Sequence, residues 1–256
     1  MSDKIKLLFL AANPIDTDRL QLDEEIRLIT QKIRGAEYRD RIELIPALAA
    51  RPDDLLQLLN EHKPDIVHFS GHGSPAGEIV LVDNTGQAKP VSANALKLLF
   101  TTLKDNVRLV VLNACYSWAQ ANAIVSSIDC AVGTNKSISD KAAIIFAAAL
   151  YRAFGFGRSV KEAFVQAKTA LLLEGISEEK TLGLLCRPGI DLAQVYILKS
   201  PHVQSIKETL AVSKPHLDDL EAYRSERLGK VFEEKSTAIK WKVSKAGLTS
   251  SAMQFI

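Results

Sequence analysis

Asp65-Ile66-Val67-His68-Phe69-Ser70-Gly71-His72-Gly73 and Arg108-Leu109-Val110-Val111-Leu112-Asn113-Ala114-Cys115-Tyr116-Ser117 follow one plan: an apolar run ends in small residues around a reactive side chain. A short continuous apolar run of this kind reads as a strand buried on both faces, the strand type of a parallel sheet. In an open parallel sheet the carboxyl ends of the strands line the ligand crevice, so His72 and Cys115 are expected in one cleft.

Working outward, strand and helix signals alternate, as in a parallel sheet covered by helices. Residues 5–11 read as a first strand and 41–48 as a second. Between them, Leu22, Ile26, Ile29 and Ile33 fall at helical spacing within residues 20–33. Arg51-Pro52-Asp53-Asp54 opens a helix with proline and acids in its first turn, and Lys63-Pro64 closes it. Residues 77–90, with the turn Asp83-Asn84-Thr85-Gly86, suggest a hairpin beside the site. Helices follow over 93–103, 118–126, 141–154 and 160–173, with a strand at 131–133 and a last strand over 192–198. The expected fold is α/β, a three-layer α/β/α sandwich with a mostly parallel sheet. Past Ser200-Pro201 the composition turns to charged helical stretches, so residues 1–200 are read as one domain and 201–256 as a helical, basic-tailed extension.

The chemistry needs these residue types at these positions. A thiol is a good nucleophile as thiolate, and an imidazole that takes its proton favours that form. His72 then returns the proton to a leaving amine. Gly71 and Gly73 leave backbone free to approach a substrate, and the amides of Gly73 and Cys115 are natural donors to the oxyanion of an acyl-transfer intermediate. His68 competes for the role of base; it sits inside the apolar strand and reads as a satisfied core residue. Cys130 and Cys186 read as inert packing.

The order His-Gly, then a small residue and Cys at the end of an apolar strand, resembles that of caspases, whose His lies roughly fifty residues upstream of the Cys. Further segments extend the resemblance: Leu20-Gln21-Leu22-Asp23-Glu24-Glu25-Ile26, Ser139-Asp140-Lys141-Ala142-Ala143 and Gly157-Arg158-Ser159-Val160-Lys161-Glu162-Ala163-Phe164. Over residues 4–198 the chain resembles the CHAT family, the bacterial caspase-like domains of the caspase and separase clan of cysteine peptidases. The resemblance implies a caspase-like cysteine endopeptidase needing no metal or organic cofactor. It implies a regulated protease of antiphage defence or programmed cell death, switched on by a protein partner and cutting a specific protein such as a pore-forming effector. It also implies that Asn113 faces the pocket for the residue before the cleaved bond. A neutral side chain there favours an uncharged substrate residue, with Asp129 or Asp140 available to add charge. For Asp140 the alternative is a helix N-cap. No long acidic loop follows the cysteine strand, so activation is expected by docking rather than self-cleavage.

Composition bounds the alternatives. With 47% hydrophobic and 24% charged residues the chain has the material for a full core. Its 32 basic and 30 acidic residues leave a net charge of +2, no field that would make nucleic acid the principal partner. Lysines and Trp241 in residues 235–245 read as a solvated face or a partner-binding segment. Three widely spaced cysteines without a Cys-x-x-Cys pair argue against a disulfide framework and a thiolate zinc site. A reducing cytoplasm is the expected location. No run approaches the roughly twenty apolar residues of a membrane span. The chain has no Gly-x-Ser-x-Gly elbow or phosphate loop, and Ala121 stands where a cysteine phosphatase needs its Arg. A second functional class stays open: a non-catalytic interaction module that uses the same crevice.

Overall fold

The structure, a computed structural model, describes residues 4–198. The expected helices of the 201–256 segment lie outside the described residues. The first half of the fold runs β1 (Ile5–Ala11), α1 (Leu22–Arg34), β2 (Ile42–Leu48), α2 (Pro52–His62), β3 (Ile66–Ser70), β4 (Gly73–Ser74), β5 (Glu78–Val82) and β6 (Ala88–Ser92). It continues with α3 (Ala93–Thr102), β7 (Leu109–Asn113), α4 (Trp118–Ile124), β8 (Cys130–Thr134), α5 (Asp140–Gly155), α6 (Val160–Leu173) and β9 (Leu182–Cys186).

The main sheet has the order β2-β1-β3-β7-β8-β9. Every neighbouring pair is parallel except β8 and β9. Successive side chains of a strand point to opposite faces, and each face needs an apolar cover. Leu7, Phe9, Leu109 and Val111 meet Ile29 of α1, Phe146 of α5 and Ala167 of α6. Leu8, Leu10, Val110 and Leu112 meet Leu59 of α2, Phe100 of α3 and Ile124 of α4. The three layers are therefore α1, α5 and α6, then the sheet, then α2, α3 and α4. The small β4-β5-β6 sheet is antiparallel, and it holds the expected hairpin.

Local signals place the helices. Pro52 begins α2 with Asp53 and Asp54 in its first turn. Ser159 caps α6 in a reciprocal pair with Glu162. The N-cap of α5 is Ser139, whose side chain accepts from Ala142 N; Asp140 is the first helical residue and not the cap.

The expected last strand over 192–198 is corrected. The position beside β8 is filled by β9, with Cys130 opposite Cys186 and Thr134 opposite Leu182. Residues 192–198 are tied instead by Val160 N to Val195 O, by Arg108 Nη1 to Tyr196 O, and by a single bridge between Ser159 and Tyr196. Glycine at 183 makes this edge possible: a Cβ there would stand 2.1 Å from the Trp118 ring, which lies over the strand.

Candidate active site

The sheet order reverses between β1 and β3, since the chain steps from β1 out to β2 and returns to β3 on the other side. Such a switch point is where an open α/β sheet opens a crevice at its carboxyl edge. His72 follows β3, Cys115 follows the adjacent β7, and the loop from β1 to α1 reaches His72.

The two turns touch through backbone. A Cβ at Gly73 would stand 1.9 Å from the carbonyl oxygen of Cys115 and 3.2 Å from its nitrogen, so only glycine fits there. Below, Ser117 Oγ donates to Leu112 O at 3.0 Å and accepts from Thr134 N at 3.0 Å. Thr134 Oγ1 donates to Ala114 O at 2.6 Å, so buried hydroxyls brace the cysteine turn from both sides. Tyr116 has a left-handed backbone with φ 55° and donates its N–H to Lys136 O. For a tyrosine that conformation costs about 1–2 kcal/mol, and the strain sits directly after the candidate nucleophile.

His72 is half-buried. Its Nε2 lies 2.7 Å from the carbonyl oxygen of Asp18. A carbonyl only accepts, so Nε2 is the donor in this contact, and the neutral tautomer it selects has its lone pair on Nδ1, the form a general base needs. The Asp18 loop is itself pinned: Asn13 Nδ2 donates to Leu20 O at 3.1 Å, and Leu20 N donates to Asn13 Oδ1 at 3.2 Å. A backbone carbonyl has no residue-type signature, and Asp18 was not foreseeable from the sequence.

Cys115 is also half-buried, and its sulfur meets the loop between β8 and α5. Ile138 N donates to Sγ at 3.4 Å, Ser137 Oγ lies at 3.4 Å, and the thiol reaches Ile138 O at 3.7 Å. That loop thus offers two donors to a sulfur carrying negative charge. By contrast, burial first and the nearby Asp129 charge second push the Cys130 thiol up to about 12. Cys130 is held protonated and unreactive.

The three substrate-pocket candidates separate. Asn113 is buried and turned into the α1/α5 layer, where Nδ2 donates to Glu25 Oε1 at 2.7 Å and to Ala143 O at 3.2 Å. It does not line the crevice, because residues 109, 111 and 113 share the inward face. Asp129 precedes β8 and so lies at the amino edge of the parallel strands, opposite Cys115, where it pairs with Arg187 at 2.7 Å. Asp140 stands on the crevice side, and its Oδ2 accepts from Gln21 N at 2.9 Å, just before α1.

Beneath the site lies a polar cluster. His68 is fully buried and stacked on Phe9 at 4.7 Å between ring centroids. Its Nδ1 is 2.8 Å from Tyr151 Oη and its Nε2 is 3.1 Å from Glu25 Oε1. Ser70 Oγ donates to Glu25 Oε2. Burial, with the Glu25 charge acting in the same direction, raises the Tyr151 phenol well above its ordinary value. Glu25 was visible in the sequence as a charged residue on the apolar face that Leu22, Ile29 and Ile33 mark out.

Among the described residues no group of three or more His, Cys, Asp or Glu is arranged to hold a metal ion. No helix among them is long and apolar enough to cross a membrane.

A family model described as the CHAT domain matches residues 18–202. A Roc-COR-CHAT protease from an unknown prokaryotic organism is 31% identical over 65% of this chain and 16% of its own length. A probable protease of Gillisia limnaea is 27% identical over 57% of this chain and 26% of its own. This chain thus spans between 16% and 26% of the length of those relatives. Among solved structures, the Arg-specific cysteine proteinase gingipain R superposes with a TM-score of 0.54 at 11% identity, covering 75% of this chain and 48% of that one. Caspase-1 from Spodoptera frugiperda gives 0.50 at 9% identity, covering 77% and 90%. At such identities the likeness is one of fold, and the fold is caspase-like.

Proposed function

We propose that this chain, which belongs to the CHAT domain family, is a caspase-like cysteine endopeptidase with Cys115 as nucleophile and His72 as base. The observation that carries the reading is the hydrogen bond from His72 Nε2 to Asp18 O, which leaves Nδ1 free in a turn packed on the Cys115 backbone. The protease names of the relatives support it.

In the first step the Cys115 proton passes to His72 Nδ1 and the sulfur bonds to the peptide carbonyl carbon. The negative charge moves to the carbonyl oxygen, where the N–H groups of Gly73 and Cys115 are the proposed donors. Collapse of the adduct breaks the C–N bond, and His72 delivers its proton to the departing amine. A water then gives its proton to His72 and attacks the thioester, releasing the acid and restoring the thiol. The mechanism calls on no metal or organic cofactor.

The substrate is a specific protein, and the family resemblance makes a pore-forming effector in antiphage defence or cell death the working candidate. An activating protein partner, a cytoplasmic setting and a split into a catalytic domain at 1–200 and an extension at 201–256 belong to the same reading. Asp140 remains the acid best placed to touch substrate. The hydrogen bonds of the Cys115 thiol to Ser137 and Ile138 favour a resting form that a partner would release. They equally suit the alternative of a non-catalytic interaction module.

Incubating the wild type and Cys115→Ala with a diverse peptide library, with fragments read by mass spectrometry, tests the reading. Cuts made by the wild type and absent from the variant are expected. Identical fragments from both would overturn it, as would silence from both after candidate partners are added.

A further inference from the structure

Ser70 and Asn113 are register partners at the ends of β3 and β7. Each stands just below a residue of the site, Ser70 before Gly71-His72 and Asn113 before Ala114-Cys115. Both side chains turn toward α1, and both donate to the same carboxyl group: Ser70 Oγ to Glu25 Oε2, and Asn113 Nδ2 to Glu25 Oε1 at 2.7 Å. Glu25 is 1% exposed, so this group was taken fully out of water to be held there. We propose, resting on the peptidase reading above, that Glu25 is a positioning residue. Its carboxyl group bridges the ends of the two strands and thereby sets where His72 and Cys115 stand relative to each other.

The ladder between β3 and β7 fixes their mutual placement only as far as Ser70 and Asn113. Beyond that rung the chain leaves the sheet, and the next tie, Gly71 N to Asn113 O, is long at 3.4 Å. The His72 turn is flanked by glycines, the residues with the widest conformational range. A bridge at the last rung is therefore placed where the sheet stops controlling the geometry. An apolar residue at position 25 would fill the layer at lower desolvation cost, and buried polar groups of this kind are retained in some proteins for the specificity of the arrangement they impose.

The same stretch of chain grips the site twice more. Asp18, in the loop that leads into α1, holds the His72 imidazole. Asp140 accepts from Gln21 N and ties the start of α1 to the start of α5. A displacement of α1 along its axis would disturb the base, both strand ends and the Asp140 contact together.

The three cysteines supply the test, because Cys115 reports on the site while Cys130 and Cys186, register partners on β8 and β9, report on the sheet away from it. In the full chain, alkylation rates by iodoacetamide are followed separately at Cys115, Cys130 and Cys186 by peptide mass spectrometry. The proteins compared are the wild type, Glu25→Ala, Glu25→Gln and Ser70→Ala. Cys115 is expected to slow about a hundredfold in Glu25→Ala and about tenfold in Ser70→Ala, the scale of a misplaced reacting group. Glu25→Gln, which keeps the size of the side chain and a carbonyl acceptor for Asn113, should recover to within about tenfold of wild type. Cys130 and Cys186 should keep their wild-type rates, and on a cleaved peptide the loss should fall on kcat rather than KM. If Glu25→Ala does not fold, Ser70→Ala and Glu25→Gln still decide. A loosened fold would instead speed Cys130 and Cys186, and that result, or unchanged Cys115 rates in all variants, overturns the inference. A wild-type Cys115 no faster than Cys186, both alone and with candidate partners added, overturns the peptidase reading itself and this inference with it.

Discussion

The two faces of the central sheet are built on opposite terms. Toward α2, α3 and α4 the inner strands present Leu8, Leu10, Val67, Phe69, Val110 and Leu112, a wholly apolar layer. Toward α1 and α5 the same strands present Phe9, His68, Ser70, Val111 and Asn113, with Glu25 and Tyr151 supplied by the helices. The polar positions are not scattered. They crowd the carboxyl half of β3 and β7, directly below His72 and Cys115. One face supplies cohesion through area removed from water. The other gives up part of that cohesion for directional contacts, and it does so only where the geometry of the site is at stake.

The contrast breaks most sharply on the apolar side. Phe100→Ala should lower stability by about 3–5 kcal/mol, the range for deleting a buried aromatic ring. Chemical denaturation measures the loss, and the Cys115 alkylation rate per folded molecule should stay as in the wild type. Asn113→Leu attacks the polar side: it removes a donor from Glu25 and should cost about 2–3 kcal/mol. Here the Cys115 rate should fall by more than the folded fraction does. A gain in stability with undiminished Cys115 reactivity would show that the polar face is no more than a tolerated core.

The smallest effect is expected away from both faces, at the cap of α6, where Ser159 is buried and Glu162 exposed. The backbone N–H and hydroxyl of Ser159 hold the Glu162 carboxyl below its ordinary 4.5. A carboxyl with a lowered folded value stabilises above its unfolded value, and the benefit is lost as pH falls through the folded one. Glu162→Gln should therefore cost under about 1 kcal/mol at neutral pH, with the difference vanishing in acid. Thermal melts at pH 7 and pH 3 check it.

Much of the fold was legible because buried parallel strands and amphipathic helices leave different periods in the sequence. α1, α2, the hairpin and the two strands that lead to His72 and Cys115 all lie within a few residues of where periodicity and turn chemistry put them. The departures have separate causes. A continuous apolar run such as Leu109–Asn113 hides which residues face which layer. Asn113 was therefore assigned to the crevice by resemblance, although it shares a face with Leu109 and Val111. Asp129 is available by the resemblance to add charge to the pocket, although it precedes its strand and a parallel neighbour carries it to the far edge. β9 escaped because residues 192–198 have the stronger strand composition, and only the packing of Trp118 over Gly183 reveals which segment takes the edge. Asp18 acts through a main-chain oxygen, which no side-chain pattern records.

The contact of Gly73 with Cys115 works as a mechanical stop. Main chain already rests on main chain, with no rotamer between them to swing aside. The two turns are free to part or to slide past one another, but they have no room to close further. Any motion of one turn against the other has to be a shear or an opening.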